Sequence, residues 1–306
     1  MRVVFMGTPE FAVPSLQALA DAGHEVALVF TRPDAVRGRG KKLVASPVKQ
    51  KALELGIPVF ETTRMTDEAK VAIAKAAPDV MCVVAYGCIL PDDVLAMAPL
   101  GAVNVHASLL PRWRGAAPIQ RSILAGDAET GVSIMRVAHD LDAGAWCAQV
   151  SVPVGEKGCM ELTAELADAG AKALVDVLPR LSDSTVEWHE QDPAGVTLAA
   201  KVRKEEMRLD PAGTAAANAL RVQASSDTAP ARLVVAGKGV RAMTARVTNE
   251  AQIAAGVVEV QKKHVYLGCA DGTLELTAVK PDGKKEMPAA AWASGLRGDL
   301  TWSRAE

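Results

Sequence analysis

The sequence predicts an α/β chain: a doubly wound, mainly parallel sheet in the first half and a small β-barrel in the second. Three observations carry this expectation. Apolar strand-like runs alternate with helix-forming segments through the first hundred residues, the pattern of a parallel sheet covered on both faces. One long helical stretch, ELTAELADAGAKALVDVL at 161–178, ends that alternation. Beyond residue 208 come short strands punctuated by glycine-containing turns, Asp271-Gly272 and Asp282-Gly283 among them, as in a small barrel.

The elements follow in order. RVVFM at 2–6 reads as a strand, and Thr8-Pro9-Glu10 offers a cap, a first-turn proline and an acid for a helix ending near Gly23. EVALVF at 25–30 is the second strand. After a loop, Ser46 caps a helix with Pro47 in its first turn and Gly56 as its stop. PVF is a third strand, TDEAKVAIAKAA at 66–77 a helix, PDVMCVVA a fully buried strand and GAVNVHAS the next. Two strand-like runs flank AHDLDAG at 138–144.

With 306 residues the chain exceeds the roughly 100–200 of one ordinary domain, so two are expected. Residues 1–180 form the first, the charged, weakly patterned 181–207 a linker, and 208–306 the barrel. Composition is ordinary, 49% hydrophobic and 23% charged with formal net charge −2, and does not by itself demand nucleic acid. The charge is divided: from residue 208 on, thirteen Lys and Arg against ten Asp and Glu give +3, leaving −5 before it. The longest apolar runs fall far short of the roughly 18 residues that span a bilayer. MRVVFMGTPEF turns polar too soon for a secretory signal, so a cytoplasmic protein without membrane contact is expected; a monomer is also expected, though nothing in the sequence marks the oligomeric state. Five cysteines (Cys82, Cys88, Cys147, Cys159, Cys269) form no C-x-x-C pair and read as reduced, mostly buried thiols.

Between the second strand and its helix, TRPDAVRGRGKKLVASPVKQK at 31–51 sets Arg32, Arg37, Arg39, Lys41, Lys42, Lys49 and Lys51 against a single acid, Asp34. A loop this long is usually functional or disordered. Gly38 and Gly40 loosen its centre, and the cations suit a nucleic-acid phosphate backbone. The alternative is a solvated charged loop. After the first strand only Gly7 is present, so neither dinucleotide nor ATP phosphate-binding fingerprints can be written there.

The chemistry concentrates in NVHASLLPRWRGAAPIQ at 104–120. Strand pleat puts Val103 and Val105 on one face, Asn104 and His106 on the other. An amide and an imidazole thus share a face at the C-terminal end of a parallel strand, where open doubly wound sheets bind ligands. Asp140 and Asp142 lie in a loop; loop aspartates are most often turn formers, but one near His106 would orient the ring.

Together, N-x-H-x-S-L-L-P, G-A-A-P-I-Q and the downstream L-D-x-G resemble the folate-dependent formyltransferase family. MGTPEFAVPSL, TRPD…GRGKK…SPVK and VVAYGCILP extend the likeness over roughly residues 1–145, and it returns at DGTLELTAVKPDGKKEM. The resemblance implies a Rossmann-like formyltransferase domain followed by an OB-like barrel. It implies transfer of a formyl group from 10-formyltetrahydrofolate to the methionine amine of initiator methionyl-tRNA, without a metal. It places catalysis on Asn104, His106 and Asp142, folate binding on Ser108, Leu109, Leu110 and Pro111, and the folate-pocket lining on Tyr86, Gly87, Cys88, Ile89, Leu90 and Pro91. Contact with the tRNA acceptor stem falls on Arg37, Arg39, Lys41 and Lys42, with the barrel adding backbone contacts. Three places depart from the family pattern: Ala145 follows L-D-x-G, VQASSDTAPARL follows Arg221, and His139-Asp140 replace small residues. A formyltransferase acting on a sugar nucleotide or a small purine precursor is the nearest alternative, opposed by the basic loop and, for the purine enzyme, by the extra domain. A non-catalytic RNA binder would not need Asn104, His106 and Asp142 together.

Overall fold

Strand β1 (Arg2–Gly7) holds Val3, Val4, Phe5 and Met6 with no side chain left exposed, so both faces of its sheet have to be covered. The computed structural model describes residues 1–37 and 42–305. It divides into two units, one of Met1–Pro118, Glu129–Pro153 and Thr163–Ala199, the other of Ile119–Ala128, Val154–Leu162 and the chain from Ala200 on.

In the first unit β1 leads through a short 3-10 turn into α1 (Val13–Asp21) and β2 (Glu25–Thr31). A small antiparallel hairpin follows, β3 (Ala35–Arg37) with β4 (Lys42–Val44), then α2 (Pro47–Glu54), β5 (Val59–Glu61), α3 (Asp67–Ala76), β6 (Val80–Val84), the single turn α4 (Asp92–Leu95) and β7 (Ala102–His106). The chain then passes through α5 (Pro118–Leu124), which apart from Pro118 belongs to the second unit, to β8 (Glu129–Arg136), β9 (Trp146–Pro153) and the long α6 (Cys159–Ser182), whose first turn also belongs to the second unit. The sheet order is β5-β2-β1-β6-β7-β8-β9. The first five strands are parallel; β8 and β9 close one edge antiparallel. The expected mainly parallel, doubly wound sheet is the one observed.

Side-chain alternation explains how the sheet is covered. Val3, Phe5, Cys82, Val103 and Val105 pack on one face against Leu16 and Leu19 of α1, Val48 and Ala52 of α2, and Leu174, Val177 and Leu178 of α6. A Cβ on Gly170 of α6 would stand 2.5 Å from Val105 Cγ1, so only glycine lets the helix lie this close to β7. Val4, Met6, Met81 and Val83 face the other way, onto Ala69, Ile73 and Val94. Asn104 and His106, out of phase with the two valines, project from that second face. Burial lifts the Cys82 thiol to about 12 and Cys147 to about 11, so both act as small core hydrophobes.

Helix starts are mostly those the sequence marks. Ser46 accepts from Lys49 N at 3.0 Å and Thr66 from Ala69 N at 3.3 Å. Thr8 is the exception: it caps no helix. Its hydroxyl donates to Tyr86 O (3.3 Å) and accepts from Arg32 N (3.4 Å), tying the ends of β1, β6 and β2 together, while Pro9 begins the 3-10 turn without a side-chain cap. A cap side chain can be spent on a neighbouring strand when one lies closer than the helix.

The second unit contains α7 (Ala215–Gln223), β10 (Arg232–Val235), β11 (Lys238–Thr248), β12 (Val258–Gln261), β13 (His264–Gly268), β14 (Thr273–Pro281), β15 (Met287–Pro288), α8 (Ala289–Ala293) and β16 (Trp302–Arg304). Its antiparallel sheet runs β12-β13-β14-β11-β10-β16, with β15 beside β14. Register shifts around Thr244 in the β11–β14 pair mark bulged backbone, which increases local bend. The outermost strands approach each other through a Val257–Thr301 bridge, so the sheet curls in the manner of an OB-like barrel. Inside lie Leu233, Val240, Leu267, Leu274, Trp292 and Trp302.

Candidate active site

His106 closes β7 and is 5% exposed. Its Nε2 lies 2.9 Å from Trp113 O; a carbonyl only accepts, so Nε2–H is the donor in this contact. Nδ1 faces Asp142, 3.6 Å from Oδ2. Asp142 reaches the ring from the β8–β9 loop, which folds back along the face of the sheet that carries Asn104 and His106. Gly144 permits the fold-back, because a Cβ there would collide with Arg136 O at the end of β8. Asp142 itself is left-handed, with φ +49°, a conformation that Asp tolerates better than most residues. Its Oδ2 also accepts from Gly115 N at 2.9 Å. The half-buried Asn104 stands two positions before His106, about 7 Å along the strand. Among the described residues its side-chain amide makes no protein hydrogen bond, which leaves its N–H groups free to donate.

SLLP forms a pinned turn. Ser108 Oγ donates to Arg112 O (2.6 Å) and the Leu110–Pro111 peptide is cis. The buried Ser133 of β8 donates to Ser108 O at 2.7 Å and accepts from Leu110 N at 3.1 Å. Gln149 Nε2 donates to both Leu110 O (2.8 Å) and Ser133 Oγ (3.0 Å). Leu109 lies over Gly131, where an added Cβ would stand 2.5 Å from Leu109 Cδ2. Leu110 is buried, whereas Leu109 and Pro111 are half-buried.

Residues 86–91 divide by environment. Tyr86 and Leu90 are buried in the second-face core, and Tyr86 Oη has no hydrogen-bond partner there. Burial pushes the tyrosine hydroxyl and the Cys88 thiol up from their usual values. Gly87 is left-handed, with φ +72°. Ile89 is 87% exposed, and Pro91 is an exposed residue at the start of α4. Of the cationic loop, Arg37 and Lys42 are opposite one another in the β3–β4 hairpin; Arg39 and Lys41 lie outside the described residues. Lys49 is not free for phosphate: its Nζ is 2.8 Å from Asp34 Oδ1 and 2.9 Å from Glu61 Oε2 at the hairpin's root.

Ser133, Gln149 and Gln191 carry no separate signal in the sequence, and Gly115 stands out there only as the start of G-A-A-P-I-Q. Ser133 and Gln149 act on residues 25 and 39 positions away, distances at which no local spacing signals a contact. Gln191 falls in the segment read as linker. Its part up to Ala199 belongs to the first unit and the rest to the second; within the first unit His189 bridges and stacks on Trp146 (4.5 Å between rings), and Leu198 bridges Arg114. His139 is exposed, 3.8 Å from Asp92. A separate cleft of about 550 Å³ opens at the opposite end of β7, lined by Leu100, Ala102, Arg136 and Trp188, and includes none of Asn104, His106 and Asp142.

An amide, an imidazole and a carboxylate thus lie at the C-terminal end of one strand of a mainly parallel, doubly wound sheet. The formyl transferase family pattern matches residues 1–178, and that of the formyl transferase C-terminal domain matches 201–297. The chain belongs to the formyl transferase family. Methionyl-tRNA formyltransferase of Methylococcus capsulatus is 44% identical over 292 residues, 94% of this chain and 95% of the relative. That of Thiobacillus denitrificans is 46% identical over 300 residues, 96% of each. Among solved structures, HypX from Aquifex aeolicus in complex with tetrahydrofolic acid shares the fold with a TM-score of 0.67 at 17% identity, covering 98% of this chain and 50% of its own. An N-formyltransferase from Helicobacter canadensis gives a TM-score of 0.65 at 15% identity, covering 90% of this chain and 98% of its own.

Proposed function

We propose that this formyltransferase moves the formyl group of 10-formyltetrahydrofolate onto the free amino group of methionine carried by initiator tRNA. The observation that carries the reading is the pairing of His106 with Asp142 at 3.6 Å on the face of β7 from which Asn104 also projects, next to the pinned SLLP turn. The names of the 44% and 46% identical relatives supply the acceptor.

In the proposed reaction the deprotonated methionine amine attacks the formyl carbon, forming a C–N bond while the carbonyl oxygen takes up the electron pair. Asn104 donates its amide N–H to that oxyanion, a role worth about 3–4 kcal/mol where single oxyanion donors have been removed. His106 assists at the tetrahedral intermediate and helps carry the proton lost by the amine, with Asp142 holding the ring in place. Collapse breaks the bond from the formyl carbon to N10, which takes a proton. The products are formyl-methionyl-tRNA and tetrahydrofolate. Neither a covalent enzyme intermediate nor a Lewis acid is required by this route, since attack by an amine on an activated formyl group depends chiefly on positioning. Ser108 to Pro111 and the 86–91 segment would bind the folate, and the cations of the β3–β4 hairpin would meet the tRNA backbone.

Labelled 10-formyltetrahydrofolate offered together with methionylated initiator tRNA, methionylated elongator tRNA and an amino-sugar nucleotide tests the assignment. Label is expected on the initiator tRNA. Label on the sugar nucleotide, or on no acceptor, would overturn it.

A further inference from the structure

We propose that Gln191 is a positioning residue for the reaction, holding the backbone of the Asp142 loop in the conformation that aims the carboxylate at His106. The inference rests on the catalytic role proposed for Asp142.

Gln191 is 7% exposed, and all three of its hydrogen bonds join segments distant in sequence. Nε2 donates to Asp142 O at 2.9 Å and to Gly144 O at 2.8 Å. Oε1 accepts from Arg114 Nε at 2.8 Å. One side chain therefore ties the 142–144 loop to the 112–115 turn. Those same two segments meet again where Gly115 N donates to Asp142 Oδ2 and where Trp113 O receives His106 Nε2–H. The backbone around Gln191 is itself anchored, by the paired amides and carbonyls of Trp146 and His189.

The carbonyl that Gln191 grips belongs to a residue at φ +49°. Non-glycine residues in that region are strained and persist only where the surroundings over-determine them. Two N–H bonds to the carbonyls of residues 142 and 144 provide such a constraint. Without them the peptide at 142 is free to relax toward negative φ, which would swing the carboxylate away from Nδ1. The ring stays in place, because β7 and Trp113 hold it independently.

Two variants separate the contributions. Gln191→Leu keeps the volume and removes every hydrogen bond. Gln191→Glu retains an acceptor for Arg114 but places carboxylate oxygens against two carbonyls. Each is expected to lower kcat about 10- to 100-fold in formyl transfer, with the KM for 10-formyltetrahydrofolate within about twofold of the parent. The deciding measurement is a double-mutant cycle with Asp142→Asn, in single-turnover transfer at high enzyme concentration. If Gln191 acts through Asp142, either Gln191 substitution has little further effect once Asp142 is replaced. An equal loss in both backgrounds assigns Gln191 to general folding and overturns the inference, as does an unchanged kcat in the single variants. Should Gln191→Leu fail to fold, Gln191→Glu decides by the same cycle. Full activity in Asp142→Asn alone would instead refute the catalytic reading of Asp142.

Discussion

At the residue scale, the site sets an amide without a protein partner beside a ring and a carboxylate that are tied down. Asn104 carries a side-chain amide with no protein partner among the described residues, whereas His106 and Asp142 are held by Trp113 O, Gly115 N and each other. Asn104→Ala should therefore lower kcat by about 100- to 1000-fold, the loss typical of an oxyanion donor, and leave folded stability nearly unchanged. Equilibrium dialysis should show folate still bound. His106→Ala should lose transfer as well, but with some stability, since a buried ring and its hydrogen bond go with it. Near-normal turnover in either variant contradicts the roles given them. The face that Asn104 and His106 share is legible in the sequence, because the period-two pleat puts them on it. The Gln191, Ser133 and Gln149 contacts are not, because each joins residues tens of positions apart.

At the element scale, the SLLP turn and the basic hairpin are each fixed from outside themselves. Ser133 both donates to and accepts from the turn, so Ser133→Ala leaves Leu110 N and Ser108 O without that partner. A loss of about 1–3 kcal/mol is expected, read as a lower urea midpoint, together with a several-fold higher KM for 10-formyltetrahydrofolate. The hairpin root is locked by Lys49 between Asp34 and Glu61, and by the buried 2.7 Å contact of Thr31 with Ser46. Charge counting in the sequence placed Lys49 with the free cations; only the fold reveals that two acids consume it. Neutralising Arg39, Lys41 and Lys42 together should weaken use of methionylated tRNA and flatten its salt dependence, while leaving the folate KM alone. An unchanged salt slope would remove the hairpin from tRNA contact. Thr8 teaches the converse lesson: its cap-like spacing was clear in the sequence, yet the ends of β2 and β6 claim its hydroxyl.

At the scale of the whole molecule, a sheet wound on both faces and a curled antiparallel sheet were both foreseeable from periodicity and turn residues. The course of residues 183–199 was not, because its contacts are made one residue at a time rather than by an apolar stripe. Among the described residues, no helix is long and apolar enough to cross a membrane. In the second unit, the Arg121 guanidinium and then the backbone N–H of Arg203 hold the Glu206 carboxyl below its usual range. A lowered folded-state value means that the unfolded chain takes up the proton first. The resulting stabilisation is complete above the unfolded carboxyl value of about 4.3 and disappears as pH falls through the folded one. Glu206→Gln should therefore be less stable than the parent at pH 7, with the gap closing in acid below about pH 4; a pH-independent gap in urea midpoints would contradict this linkage.

Transfer of a formyl group by Asn104, His106 and Asp142 to the amine of tRNA-borne methionine is the proposal on which the other roles depend. Its most direct measurement is rapid-quench single turnover with saturating labelled 10-formyltetrahydrofolate and methionylated initiator tRNA, comparing the parent with Asn104→Ala. Stoichiometric formyl-methionyl-tRNA is expected from the parent and at least a 100-fold slower transfer step from the variant, with both substrates still bound. Equal transfer rates, or no formylated tRNA from the parent protein, would contradict it.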